Sequence, residues 1–160
     1  TNAKLNQHGF QQSVYRKFKN NTLGFKFWYF NSNRELPPTM LVATNNENQK
    51  DEAYRSILEW KGLYKNLNYQ VSSGMLINNL TYENEMANIH SDAKSYLSDN
   101  NVNTKLYLKN NFTLVNNFNI QYQVAKTGEY SKQHTGFNNS WLIGTNKKLK
   151  RFSRPVKFLV

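Results

Sequence analysis

The histidines are the first candidates for chemistry in this chain, because imidazole serves both as a general base and as a metal ligand. The three of them, His8, His90 and His134, are widely separated among the 160 residues. Asp92 lies close to His90, but one histidine and one carboxylate do not make a metal motif. The histidines therefore predict no metal site.

Carboxylates and serines give no catalytic pattern either. Glu59, Glu83 and Glu85 could act as acids or bases, but nothing in the sequence places two of them in one cleft. The Ser72–Ser73 pair has no partnered base. The chain has no cysteine, which excludes thiolate nucleophiles, disulfides and zinc–thiolate sites. We expect no enzyme and no cofactor.

Composition points to binding rather than catalysis. The formal net charge is +11, which favours an anionic partner such as nucleic acid or an anionic lipid surface. Most basic residues are spread along the chain, with one local cluster at 146–154, and this distribution is more typical of a solvated or lumen-lining surface. No apolar run approaches the length of a membrane-spanning helix. The chain begins with Thr and has no basic-then-apolar leader, so we expect a processed product or an excerpt.

The elements that must position any site are β-hairpins. Apolar and polar residues alternate with a period of two in stretches that flank short turns. The predicted strand pairs are 10–18 with 23–29, 54–64 with 67–77, 106–114 with 118–124, and 137–143 with 152–158. The predicted turns lie at 20–22, 65–66, 115–117 and 145–148. Pro155 makes the last strand short, displaced or an edge strand.

Connections between the hairpins are long, at about 32–52, 83–103 and 128–135. Alternation of short turns and long loops is typical of outer-membrane barrels, whose periplasmic turns are short and outer loops long. We therefore predict an all-β antiparallel hairpin meander of about eight strands. Residues 1–160 would form a single segment of an outer-membrane β-barrel or a small complete barrel, and an excerpt from a larger barrel fits better.

The two faces of the hairpins predict different surroundings. Phe118, Ile120, Tyr122 and Val124 form a stripe that would face lipid, whereas the residues between them are uncharged amides that suit a wet lumen. Rings would form the aromatic belts at the membrane surfaces, namely Trp28, Tyr29, Trp60, Tyr64, Tyr82, Tyr122 and Trp141. Basic residues predicted to face the lumen, where they would favour an anionic ligand such as a ferric siderophore, are Lys17, Lys26, Arg55, Lys61 and Lys109.

Three stretches resemble the barrel of TonB-dependent outer-membrane receptors of the Bacteroidetes type. They are YFNSNRELPPTM at 29–40, DEAYRSILEWKGLYKNLNYQVSSG at 51–74 and NNFTLVNNFNIQYQVAKTGEYS at 110–131. The resemblance implies a barrel of about 22 strands with an N-terminal plug. Such a receptor, in the cell outer membrane and energised through TonB, imports siderophores, corrinoids, haem or oligosaccharides. This chain shows no plug or TonB-binding segment, so it would supply part of the barrel.

Ligand contact is expected at the outer loops, because loops carry recognition on a rigid β scaffold. The residues we select are Arg34 and Glu35 in the first long loop, and Tyr130 and Lys132 in the third. The expected partners are outer-membrane lipid, a small-molecule or oligosaccharide ligand, and TonB through the plug region of a full receptor.

Two alternatives stay open from the sequence. The chain could be a soluble all-β binding module whose basic surface engages nucleic acid or an acidic polymer, whereas the leading interpretation includes no nucleic acid. It could also be a complete eight-stranded outer-membrane barrel with an adhesive or structural role. Whether lipid or a protein core covers the apolar stripes decides between the first alternative and the barrel.

Overall fold

The structure is one antiparallel sheet. A computed structural model describes residues 4–36, 47–128 and 133–147. Its strands are β1 (Leu5–Phe18), β2 (Asn21–Glu35), β3 (Glu47–Tyr64), β4 (Leu67–Asn84), β5 (Ile89–Tyr107), β6 (Phe112–Thr127) and β7 (His134–Lys147). Each strand pairs with the next in chain order, so the sheet is a meander without crossovers. In the described part of the chain, no helix is long and apolar enough to cross a membrane. The predicted all-β meander is confirmed.

Residues at positive φ close the tight turns. Lys19 in turn 19–20 and Lys65 in turn 65–66 have φ of 52° and 53°. Between β5 and β6, residues 108–111 contain a short 3-10 turn in which Asn110 and Asn111 have φ of 61° and 59°. Asn tolerates this left-handed region better than most residues do. These three connections define what we call the short-turn end of the sheet, and the opposite ends of the strands, which include turn 85–88, define its loop end.

Strand pairing sorts the side chains into an apolar face and a polar face. Residues paired directly across neighbouring strands point to the same side. One row of the apolar face runs through Phe10, Tyr29, Tyr54, Ile77, Tyr96 and Val124, and another through Leu23, Trp60, Val71, Val102, Phe118 and Trp141. The stripe predicted to face lipid therefore lies on one continuous apolar face.

An apolar band occupies the same level on the four central strands. It consists of the apolar-face residues within 54–64 of β3, 67–77 of β4, 96–106 of β5 and 114–124 of β6. Each stretch has about the 9–11 residues that a tilted transmembrane strand needs. Tyrosines lie at the loop-end edge of the band, and Trp60, Tyr64 and Tyr69 lie towards the short-turn end. This arrangement matches the aromatic girdles of membrane barrels.

No second layer covers the apolar face within the described residues. Val124 is the one buried hydrophobic residue among them, and Phe10 and Trp141 are 55% and 68% exposed. A soluble sandwich would bury such residues against a facing sheet about 10 Å away. The described sheet therefore leaves its apolar face uncovered.

The strands extend far past the band at the loop end only. Turn 65–66 follows directly on the band, whereas residues 47–53, 78–84 and 89–95 continue the ladders beyond it towards the loop end. These extensions are mostly polar, which suits an aqueous environment. The sheet thus has one end flush with the apolar band and one end that projects from it.

The long loop predicted at 83–103 is wrong. Residues 85–88 form the connection, and β5 begins at Ile89 and pairs along its length with β4. The strand was missed because its apolar face carries Ser98 and Asn100 between Tyr96 and Val102, which weakens the alternating pattern. The loop predicted at 32–52 is shorter as well, because β2 continues to Glu35 and β3 starts at Glu47.

The turn predicted at 115–117 is also wrong. These residues lie inside β6, and the chain reverses at 108–111 instead. The apolar residues of β6 before and after 115–117 are separated by even numbers of positions. They therefore share one face of a continuous strand, and the backbone needs no reversal there. Of the last predicted hairpin, 137–143 lies in β7, and 152–158 lies outside the described residues.

Candidate functional site

The polar face carries most of the basic residues predicted to line a lumen. Lys17, Lys26, Arg55 and Lys61 all share this face by strand pairing. Lys17 and Lys61 both pair with Thr22, one from each side, so their ammonium groups belong to one row. Lys109 lies in the 3-10 turn at the short-turn end and not on a strand.

One of these four charges is neutralised within the sheet. Lys26 Nζ lies 3.4 Å from Glu59 Oε1, and both side chains are partly exposed. Within the described ranges, no carboxylate makes an ion pair with Lys17, Arg55 or Lys61. These three side chains therefore keep their positive charge on the polar face without a paired carboxylate.

A hollow of about 520 Å³ lies at the centre of the sheet around Gly74, chiefly on the polar face. Trp28, Ile57, Leu76 and Leu97 contribute apolar surface there, and Arg55 and Asp99 add opposite charges. Apolar walls with a few charged groups are the chemistry of small-molecule sites. Here the hollow is open, so it would form one wall of a site completed by something else.

Trp28 and Tyr82 were wrongly grouped with the aromatic belts. The pairing places both on the polar face, opposite to Tyr29. Adjacent residues of a strand point to opposite faces, so Trp28 and Tyr29 could not both face lipid. That rule could have identified Trp28 as a polar-face residue from the sequence, whereas Leu76 and Leu97 join it around the hollow only through the register of β2 to β5.

On the apolar face, just beyond the band at the loop end, the Glu52 carboxylate accepts hydrogen bonds from three side chains. Glu52 Oε1 accepts hydrogen bonds from the hydroxyls of Tyr29 and Tyr54 at 3.1 and 3.0 Å. Its Oε2 accepts from the Asn79 amide at 3.1 Å. These donors, Asn79 foremost, hold the pKa of Glu52 below its usual value although partial desolvation opposes them. The group is therefore a fixed anion that orients two tyrosines.

His90 lies between two carboxylates farther from the band. Its Nδ1 is 3.3 Å from Glu83 Oε1, and its Nε2 is 3.0 Å from Asp92 Oδ2. Thr81 donates to Asp92 at 2.9 Å, and this bond, followed by the one to His90, lowers the pKa of Asp92. No cluster suited to a metal ion occurs in the part of the chain that the structure describes. The arrangement fastens β4 to β5 beside turn 85–88.

The predicted loop contacts are only partly described. Arg34 and Glu35 lie in the last residues of β2, where Arg34 is on the polar face and Glu35 on the apolar side. Glu35 Oε2 accepts the Lys4 backbone N–H at 3.3 Å and lines an open hollow of about 450 Å³. Tyr130 and Lys132 lie outside the described residues. The structure therefore does not bring these four residues together.

Comparisons with known proteins give a match in structure but not in sequence. No family model and no curated protein matches the chain. The structure of BauA, the ferric preacinetobactin receptor from Acinetobacter baumannii, aligns over 91% of this chain at 8% identity with a TM-score of 0.62, and the chain covers 28% of BauA. The ferric yersiniabactin uptake receptor FyuA from Yersinia pestis aligns over 90% of the chain and 25% of its own length, at 8% identity and a TM-score of 0.41. The translocator domain of autotransporter NalP from Neisseria meningitidis aligns over 90% of the chain and 54% of its own length, at 14% identity and 0.42.

These observations define the class of fold. The long strands, the two-faced single sheet and the similarity to BauA identify the chain as having the fold of part of an outer-membrane β-barrel. The chain spans about a quarter of the length of that structure, and the likeness at 8% identity concerns the fold.

Proposed function

We propose that this chain forms part of the barrel of a TonB-dependent receptor in the bacterial outer membrane. The observation that carries the proposal is the pairing of an uncovered apolar band with a polar opposite face, because a barrel wall meets lipid on one side and a wet lumen on the other. The structural alignment with BauA and the resemblance of the strands to Bacteroidetes-type receptors support the narrower family. The projecting loop end would face the outside of the cell, and the short turns the periplasm.

The receptor would import a small-molecule or oligosaccharide ligand, and its barrel wall would bind without catalysing a reaction. Lys17, Arg55 and Lys61 favour an anionic ligand such as a ferric siderophore, because the described sheet provides no ion-paired carboxylate for them. The hollow beside Trp28 offers apolar surface to the same ligand. A corrinoid, haem or an oligosaccharide would use the apolar and amide surface more than the charges. TonB would act through the plug region of the full receptor.

The soluble module is the less favoured candidate. It would need a protein layer over the apolar band, and the described sheet has none. Extraction separates the two candidates, because a barrel leaves the membrane fraction only with detergent and resists SDS until heated. A protein that appears in the soluble fraction and binds DNA in a salt-sensitive way would support the module instead.

Uptake tests the narrower proposal. Cells with and without the gene would be supplied in turn with ferric siderophores, haem, a corrinoid and oligosaccharides, with and without an uncoupler of the inner-membrane proton gradient. We expect one ligand class to be taken up only with the gene and only with the gradient. Uptake of the panel that is equal in both strains, or indifferent to the uncoupler, would contradict a TonB-dependent role.

The polar-face charges have their own test. Exchanging Lys17, Arg55 and Lys61 for Gln should weaken binding of an anionic ferric siderophore at least about tenfold, since each exchange removes a charge-assisted contact. The matched control exchanges Lys19, Lys65 and Lys147, which lie at the short-turn end of the sheet, and should bind as the unaltered protein does. Equal binding by both triple variants would refute the anionic-ligand assignment.

A further inference from the structure

Three lysines on the apolar-face side lie just beyond the band at the loop end. Lys94 pairs with Asn79, the partner of Glu52, and Lys126 pairs directly with Lys94 across β5 and β6. Lys50 lies one row farther out, paired with Thr81. All three side chains are exposed. Together, Lys50, Lys94 and Lys126 form what we call the lysine cluster.

The Lys94–Lys126 pair is unfavourable as it stands. Like charges directly opposite each other on one face of a sheet repel. In the described residues, no carboxylate forms an ion pair with any lysine of the cluster. Glu52 is engaged by two tyrosines and Asn79, and Asp92 by Thr81 and His90. Lys50 contributes least to the lowered pKa of Glu52, and Lys94 contributes least to that of Asp92.

A recess exists where an anion could relieve this repulsion. It has a volume of about 220 Å³ and is lined by Lys50, Glu52, Asn79, Thr81, Asp92 and Lys94. The lysines supply positive charge, and the second N–H of the Asn79 amide can donate to a phosphate or ester oxygen. The Thr81 hydroxyl already donates to Asp92, so its oxygen and the two carboxylates of the recess can accept hydrogen bonds from sugar hydroxyls. Lys126 flanks the same recess through its pairing with Lys94.

Position decides which anion belongs there. The recess opens on the side of the sheet that carries the apolar band, next to the Tyr54–Tyr96 row. A lipid whose chains lie against Ile77 and Tyr122 would place its head group at that level. Lysines near a membrane surface attract anionic head groups in this way. We propose that the lysine cluster binds the phosphate-bearing head group of a membrane lipid, most suitably a phosphorylated glycolipid.

The proposal rests on the membrane placement argued above. The proposed uptake function does not use the lysine cluster, because the cluster lies on the face opposite to the polar face. The binding would also anchor β3, β5 and β6 to one another at the level where the sheet leaves the band. Lipid binding to the outside of the barrel and ligand binding to its inside would therefore be separable by mutation.

Lipid retention in detergent provides the test. The full protein would be purified in a neutral detergent, supplied with a phosphorylated glycolipid, the same glycolipid after removal of its phosphates, or inorganic phosphate, and examined by native mass spectrometry. We expect retention of the phosphorylated lipid only. Exchange of Lys50, Lys94 and Lys126 for Gln should weaken it on the order of 100-fold. Exchange of the same three for Arg should preserve it.

The matched control has the same change in charge on the opposite face. Lys17→Gln, Lys61→Gln and Lys105→Gln together should leave lipid retention unchanged. Equal retention of the dephosphorylated lipid, equal loss in the control, or saturation of the cluster by inorganic phosphate that excludes the lipid would each overturn the proposal. Heat-modifiable migration of every variant confirms folding, and lipid access to the apolar band, measured separately, shows whether the membrane placement or only the cluster has failed.

Discussion

Arginine substitutions along β6 should reveal the membrane profile of the apolar face. Ile120 lies on the apolar face near the middle of the band stretch 114–124, and Leu114 lies on the same face at its short-turn edge. An arginine at the bilayer midplane of a barrel costs about 2–4 kcal/mol, and one near the interface about 0–1 kcal/mol, because the longer path to water must be bridged. Ile120→Arg should therefore change the unfolding equilibrium constant about 30- to 700-fold, and Leu114→Arg much less.

The control for this series is the next residue in the chain. Gln121 lies on the polar face and pairs with Asp99, so Gln121→Arg places its charge opposite a carboxylate and should cost less than about 1 kcal/mol. Denaturant unfolding of the protein in lipid vesicles measures all three variants. A cost for Gln121→Arg equal to that for Ile120→Arg, or equal costs at positions 114 and 120, would refute the placement of this face in lipid.

Four further predictions concern local structure. Gly24→Val should cost about 1–3 kcal/mol, because its added Cβ would lie 2.6 Å from the Tyr15 ring, and Tyr15→Ala should remove much of that cost; Gly144→Val, where nothing lies within 4 Å, should be nearly neutral. Asn110→Val should lower stability by about 1–2 kcal/mol in denaturant titrations because of its φ of 61°, whereas Asn110→Gly should not. An unchanged free energy of unfolding in the Val variant would indicate that the chain turns at 115–117 instead. Glu52→Ala should lower stability by about 1–3 kcal/mol, since three donors lose their acceptor; an unchanged midpoint would contradict this network. Because the folded pKa of Glu52 is lowered, its contribution is present above the ordinary carboxyl pKa of 4.5 and is lost as pH falls through the folded pKa, so Glu52→Gln should flatten the acid limb of stability measured against pH.

Alternation predicted most of the strands and some of the turns. The period of two predicted the hairpin of β3 and β4, with its turn at 65–66, and the common face of Phe118, Ile120 and Tyr122. It failed at β5 because polar residues occupy the apolar face there. It also could not choose between two Asn-Asn pairs, and the chain turns at Asn110–Asn111 while the pair at 116–117 continues β6.

Sites depend on register, which the sequence pattern does not determine. Lys94 and Lys126 are far apart in the chain and become direct neighbours only because β5 and β6 pair as they do. Ile57, Leu76 and Leu97 meet around Gly74 for the same reason. By contrast, the sequence alone predicted the polar face for four basic residues, because side-chain direction within each strand follows from position. They are Lys17, Lys26, Arg55 and Lys61.

The solvent on each side of β6 is the central claim, and spin labels placed one at a time at positions 118 to 123 test it most directly. In lipid vesicles, collisions with oxygen report exposure to lipid, and collisions with a water-soluble nickel complex report exposure to water. The account predicts that labels at 118, 120 and 122 are accessible to oxygen and those at 119, 121 and 123 to nickel. Labels at the even positions that are shielded from both reagents would show that protein, and not lipid, covers the apolar face.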